Sequence, residues 1–447
     1  MLQPRRHALQ SALRVVPANW RRHWLTGVVA FGAGLAVTTT TLLLVLNLSL
    51  GNKPIDYRVS DVAAVSSPLF VRSISALLGP SVVGGNRVRA LINGDEIFPA
   101  MLTAIRDAQR SITFETYIYW SGTIGQEFVD ALAERARAGV AVHVLIDWWG
   151  AEDIERRYRG SMEAAGVQMR IYNPPRIGTL GRMNARTHRK LLVVDGRMGF
   201  TGGVGIADPW RGDAQDSEHW RDTHFLVEGP VVAQLQAAFM DNWTTADGRV
   251  LHGEAYFPPL VPIGDAEAQL FMSAAGGGSE STQLLYLMSI AASRRSIQLS
   301  MAYFVPDELA IKALVSARQR GVRVQIILPG PNMDRNVVRR ASRATWGPLL
   351  AAGVEIYEYQ PTMYHAKVLI VDEVWTSVGS TNFDNRSFVI NDEANLNVHD
   401  EGFARAQAAV FHADLAMSRR VGWDQWSSRP WHDKLLDRLA SLLKSQL

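Results

Sequence analysis

The chain repeats itself. "RSITFETYIY" at 110–119 returns as "RSIQLSMAYF" at 295–304, and "ALAERARAGVAVHVLID" at 131–147 returns as "ALVSARQRGVRVQIILP" at 313–329. "AGVQMRIYNP" at 165–174 then returns as "AGVEIYEYQP" at 352–361. Self-similarity over so long a stretch means that most of the 447 residues fold as two copies of one layered unit.

Within each copy the pattern alternates. The 110–119 and 295–304 stretches read as apolar strands. The next stretches read as helices that close on Gly139 or Gly321 and run into β-branched strands. A second helix and strand follow, and each copy then reaches a shared phrase, "THRKLLVVDG" (187–196) or "YHAKVLIVDE" (364–373). The continuous apolar runs "LLVV" and "VLIV" are those of central strands buried on both faces. The order predicts an α/β fold in which each copy is a mixed sheet flanked by helices. We place a first domain at 89–260 and a second at 261–430, related by a pseudo-two-fold axis.

Both phrases read His-x-Lys, four apolar residues, Asp: His188, Lys190 and Asp195, then His365, Lys367 and Asp372. On a strand, residues i and i+2 project to the same face, so each His stands beside its Lys. Two strongly hydrated groups at the entrance of a buried strand are costly to desolvate unless they meet an anion. If the copies share a cleft, two imidazoles and two ammonium groups surround one pocket, a set suited to a phosphoryl group. One imidazole can attack phosphorus, and the other can protonate the leaving oxygen and then deprotonate the incoming nucleophile. Zinc is the competing ligand for paired histidines, but a lysine beside each would repel a cation, so no metal and no other cofactor is expected. The chain has no cysteine, which excludes disulfides and thiolate chemistry.

The doubled HxKxxxxD motif resembles the phospholipase D superfamily over about residues 90–425. Within it the chain is similar to the bacterial cardiolipin synthases and related phosphatidyltransferases. That likeness rests on "EHWRDTHFLVEGPVV" (218–232) and "VGSTNFDNRSFVINDEANLNV" (378–398). The resemblance implies a nucleophile at His188 and a general acid/base at His365. Lys190, Lys367, Asn382 and Ser380 would hold the phosphate, and Asp195 and Asp372 would support the motif strand. Glu393 would orient one imidazole through its far ring N–H and Asp222 the other. One position departs from the family's pattern: Gly205, in "GGVG", stands where the first copy would carry an Asn.

The remaining segments bear on where the chemistry takes place. Residues 25–50 hold no charge over 26 positions, roughly 39 Å of helix against about 30 Å of hydrocarbon. We read a basic segment at 1–24, a transmembrane helix at 25–50 and a linker at 51–88; a cleaved signal peptide is the alternative for the apolar run. Arg5, Arg6, Arg14, Arg21 and Arg22 precede that run. They put the N-terminus in the cytoplasm and the catalytic region outside it, on the inner membrane. Copy one carries about ten extra residues before His188, with Arg176, Arg182 and Arg186, a candidate wall for an anion. The tail at 431–447 reads as an amphipathic helix docked on the domain, with the bilayer surface as the lesser alternative. The partners expected are a membrane phospholipid and the bilayer, while self-association is left open. Net charge is only +3, mostly owed to the N-terminal arginines, and nucleic acid is not expected. The leading reading is a phosphatidyltransferase acting on phosphatidylglycerol or a related phospholipid through a phosphohistidine. The alternatives are a phospholipase D hydrolase or nuclease that resolves the same intermediate with water, and a non-enzymatic lipid binder.

Overall fold

The computed structural model describes residues 18–49, 59, 61–175, 184–273 and 280–447. Two compact units result, one up to Ser49 and one from Leu50 to Leu447. The first contains the helix Ala18–Ser49. Its stretch Trp24–Leu46 is long and apolar enough to cross a membrane.

The second unit is built on one sheet. Its strands in the first copy are β1 (Val83–Ile92), β2 (Ser111–Thr116), β3 (Ala141–Asp147), β4 (Gln168–Tyr172), β5 (Leu191–Val194), β6 (Met198–Gly202) and β7 (Thr223–Glu228). The second copy contributes β8 (Ala266–Ser273), β9 (Ser296–Met301), β11 (Arg323–Pro329), β12 (Glu355–Tyr359), β13 (Lys367–Val371), β14 (Trp375–Gly379), β16 (Glu393–His399) and β17 (Ser418–Val421), while its short β10 (Phe304–Val305) and β15 (Phe383–Asp384) pair with each other in a separate parallel two-stranded sheet. Starting from one edge, the sheet runs β4-β3-β2-β5-β6-β7-β1, then β8-β16-β14-β13-β9-β11-β12-β17. The second series mirrors the first and adds β17. The two halves join at the centre, where the equivalent strands β1 and β8 pair antiparallel.

Each half is mixed, as expected. β2, β3 and β4 run parallel, with the crossover helices Thr123–Arg137 and Arg156–Ala164 between them, and β5, β6, β7 and β1 continue antiparallel. β9, β11 and β12 repeat the parallel part with helices Glu308–Gln319 and Asn336–Ala351. The first crossover helix of each copy ends at a glycine with φ of +90°, Gly139 and Gly321, a left-handed turn that a side chain would strain. Every residue of β5 and β13 is buried. Their apolar side chains on one face, Leu191, Val193, Val368 and Ile370, meet in a single core with Val227, Val378 and Leu396. The halves therefore share a core as well as a sheet. In the segment read as linker, Val65, Phe70, Ile74 and Leu78 pack into the core of the second half, with Phe70 edge-on to Trp375 at 5.1 Å.

Candidate active site

The two motif segments enter the sheet by gripping the opposite half. The His188 amide donates to the Asp392 carbonyl at 2.8 Å, and the His365 amide donates to the Arg221 carbonyl at 2.7 Å. Thr187 with Asp392, and Arg221 with Tyr364, form two isolated parallel bridges. Residues 392–393 thereby lie beside the first motif and residues 221–222 beside the second.

That placement decides which carboxylate serves which imidazole. Glu393 receives His188 Nδ1 on both oxygens at 2.9 Å. Asp222 Oδ2 receives His365 Nδ1 at 2.7 Å. Each histidine is thus held by an acid from the other copy. Both acids are fixed in turn. The Ser380 hydroxyl donates to Glu393 Oε2 at 2.5 Å, while the Trp210 indole N–H donates to Asp222 Oδ2 at 2.9 Å and the Thr223 amide to Oδ1 at 2.8 Å. A carboxylate on Nδ1 fixes the tautomer and leaves Nε2 as the nitrogen for chemistry.

The lysines complete a single electrostatic unit. Lys190 Nζ donates to the His188 carbonyl and Lys367 Nζ to the His365 carbonyl, each at 2.7 Å. Burial pushes Lys190 down to about 7 and Lys367 to about 8, and Lys367 further depresses Lys190. Burial likewise lowers His188 to about 4 and His365 to about 3, helped by the adjacent lysine in each case and by the opposite lysine as well. Burial alone would raise Glu393 and Asp222, but their histidines and lysines outweigh it and hold both below the usual carboxylate range. At neutral pH the site holds two carboxylates, two neutral imidazoles and two desolvated, partly charged lysines. An entering phosphate would restore the lysines to full charge and favour protonation of one imidazole.

The family model described as "Cardiolipin synthase, PLD-like domain" matches residues 101–243 and 286–415. The chain belongs to this family. It is 34% identical over 365 residues to a cardiolipin synthase of Geobacillus kaustophilus, covering 81% of this chain and 72% of that protein. It is 34% identical over 362 residues to cardiolipin synthase 2 of Bacillus cereus, covering 80% and 70%. The crystal structure of a phosphatidylserine synthase from Haemophilus influenzae shares the fold with a TM-score of 0.65 and 14% identity, over 84% of this chain and all of that one.

In this cardiolipin synthase-type chain the other site residues expected from the motifs occupy distinct places. Asp195 and Asp372 lie at the far end of the motif strands from the histidines, on the order of 20 Å away at about 3.3 Å per residue. Each turns into the left-handed region, at φ of 53° and 56°. There the carboxylates accept from the backbone amides that open the adjacent strand: Gln109, Arg110 and Ser111 for Asp195, and Arg294, Arg295 and Ser296 for Asp372. Ser380 was expected at the phosphate. It is fully buried, and its hydroxyl is engaged by Glu393 and the Ala394 amide. Asn382 is buried, and its Oδ1 has no hydrogen-bond partner among the described residues.

Gly205 has a packing reason. A Cβ there would meet Ile118 Cβ at 2.8 Å and the Trp210 ring at 3.3 Å. The Ile206 amide donates to the Ile118 carbonyl as the Phe383 amide does to that of Tyr303, so Gly205 with Ile118 stands where copy two has Asn382 with Tyr303. Of the basic insertion, Arg176 and Arg182 lie outside the described residues, while Arg186 stacks over Trp148 and Trp149 at 5.3 and 5.0 Å. The aromatic walls went unread in the sequence. Tyr117 lies 5.1 Å from the His188 ring, and Trp210 and Trp220 lie 5.3 and 5.4 Å from that of His365. No spacing marks these side chains; only Trp220, two residues before Asp222, had a nearby signal.

Proposed function

We propose that this chain is a membrane-anchored phosphatidyltransferase of the cardiolipin synthase type, with His188 as nucleophile and His365 as general acid and base. The observation that carries the reading is the crossed pairing of His188 with Glu393 and His365 with Asp222. It presents two Nε2 atoms to one lysine-lined site. Nε2 of His188 attacks the phosphorus of phosphatidylglycerol, the P–O bond to glycerol breaks, and His365, having taken up a proton at Nε2 as the phosphate enters, gives that proton to the departing oxygen. The hydroxyl of a second phosphatidylglycerol then attacks the phosphatidyl-histidine, losing its proton to His365 as the P–N bond breaks, and cardiolipin forms. Lys190, Lys367 and Asn382 hold the phosphoryl oxygens throughout. Glu393 stabilises the cationic ring of the intermediate, and Asp222 supports the ring that shuttles the proton.

The Trp24–Leu46 stretch serves as the anchor. The arginines before it argue for a cytoplasmic N-terminus on the inner membrane, with domains 89–260 and 261–430 on the other side. The substrate is then a bilayer lipid, and no nucleic acid is involved.

The test is turnover of defined phosphatidylglycerol by the purified full chain. Cardiolipin and glycerol are the expected products, with an acid-labile adduct on the His188 peptide, no product from His188→Ala, and full activity in chelator. Phosphatidic acid as sole product would make the chain a hydrolase. An adduct on His365 would reverse the two roles.

A further inference from the structure

The helix Trp431–Ser441 is docked inside out. An amphipathic helix on a soluble domain buries its apolar stripe. Here the buried residues are Asp437 and Ala440. Asp437 pairs with Arg340 at 3.4 Å and with Arg429 at 3.1 Å, and Asp433 reaches Arg340 at 3.5 Å. The apolar side chains face out instead: Trp431 is 76% exposed, Leu439 52% and Leu442 76%, with Leu435, Leu436 and Leu443 also exposed. The helix and the turn that follows it therefore carry a row of six large apolar residues on the solvent side, where isolated exposed residues would be the ordinary finding.

The charges around this row have one sign. Between 431 and 444 both acids are turned inward to arginines, whereas Arg438 and Lys444 are exposed. On its docked side Ala440 packs with Ala302, Val305 and Met363 in a cluster bordered by Tyr303 and Trp220, whose rings flank His365. The apolar row is thus continuous, through the thickness of one helix, with the wall of the catalytic site.

We propose that this helix lies in the surface of a bilayer containing anionic phospholipid, as an interfacial contact of the catalytic unit itself. Leucines and Trp431 enter the boundary between headgroups and acyl chains, and Arg438 and Lys444 meet lipid phosphates. The ion pairs of Asp433 and Asp437 provide the attachment that apolar packing usually provides, which leaves the apolar face for lipid. The contact keeps the His365 side of the cleft at the height of the headgroups.

The chain contains no cysteine, so one introduced thiol reports on one position. Leu439→Cys, Leu442→Cys and, as control, the exposed Glu401→Cys are labelled with an environment-sensitive fluorophore. Each full chain is then reconstituted in vesicles of phosphatidylcholine and phosphatidylglycerol. Lipids with a quencher on the acyl chain should remove about half of the emission at 439 and 442 and little at 401, in keeping with burial of about 5–10 Å at the interface. Labels at 439 and 442 that remain as open to aqueous iodide as the control would overturn the proposal. Protection that grows with protein density and ignores quencher lipid would overturn it too, by assigning the face to a second copy. This readout does not depend on catalysis. A second readout rests on the transferase reading: Leu435→Ser with Leu439→Ser should slow turnover of bilayer phosphatidylglycerol about tenfold, yet leave that of a monomeric short-chain analogue unchanged. Equal loss on both substrates would count against the proposal.

Discussion

Replacing Glu393 by Gln tests the crossed pairing at its most sensitive point. The carboxylate is fully buried and accepts from His188 Nδ1 at 2.9 Å. When Nε2 of His188 is bonded to phosphorus the ring is cationic, with its charge centred about 4 Å from the carboxylate. At an effective dielectric constant of about 20, that attraction is worth about 4 kcal/mol. Glutamine keeps the volume and one acceptor oxygen but loses the charge, so the turnover number should fall on the order of 10³-fold. The assay is cardiolipin formation in single-turnover and steady-state modes, with the phosphatidyl-histidine trapped in acid-free conditions. The adduct should form slowly and to a low level, while circular dichroism reports an intact fold. Asp222→Asn should cause a loss of similar size. A loss of less than about tenfold for Glu393→Gln would refute the argument that the opposite-half carboxylate carries the intermediate's charge.

Three further outcomes follow from the same geometry. Asp372→Asn removes the charge from a cradle of three backbone amides, so it should cost about 1.5–3 kcal/mol in denaturant unfolding, with turnover per folded molecule little changed. Gly205→Asn should destabilise by about 1–3 kcal/mol through overpacking against Ile118, and adding Ile118→Ala should recover part of that loss. Burial, before an anion enters, pushes Lys190 down to about 7 and Lys367 to about 8. Charge available for an anion is therefore lost as pH rises through that range, and KM for phosphatidylglycerol should rise on the order of 10²–10³-fold between pH 7 and 9 while kcat changes little, since a bound phosphate keeps both lysines protonated. A flat KM over that interval would remove the lysines from substrate capture.

The duplicated α/β architecture was legible because repeats, apolar runs and closing glycines are local signals. The His-x-Lys phrases were legible for the same reason. The partner of each imidazole was not, since His188 and Glu393 are 205 residues apart and meet only because residues 392–393 bridge to the opposite copy. Gly205 stood out as a departure, but its cause is a side chain at position 118 with no sequence relation to it. The tail reads as amphipathic, and its helix spans Trp431–Ser441. A hydrophobic pattern says that a helix has two faces, however, and not which one the domain takes, and here buried Asp437 with its arginines reversed the choice.

The pairing of β1 with β8 at the sheet centre has a genetic consequence. Two separate copies of such a half, assembled about a two-fold axis, would receive every mutation twice, once in the surroundings of each imidazole. Joined in one polypeptide, each side can be altered alone. Glu393 against Asp222, Ser380 against Trp210 and Asn382 against Gly205 are the places where the two sides have taken separate courses. Under the roles proposed for His188 and His365, covalent duplication is what would allow one imidazole to be tuned for bonding to phosphorus and the other for moving a proton.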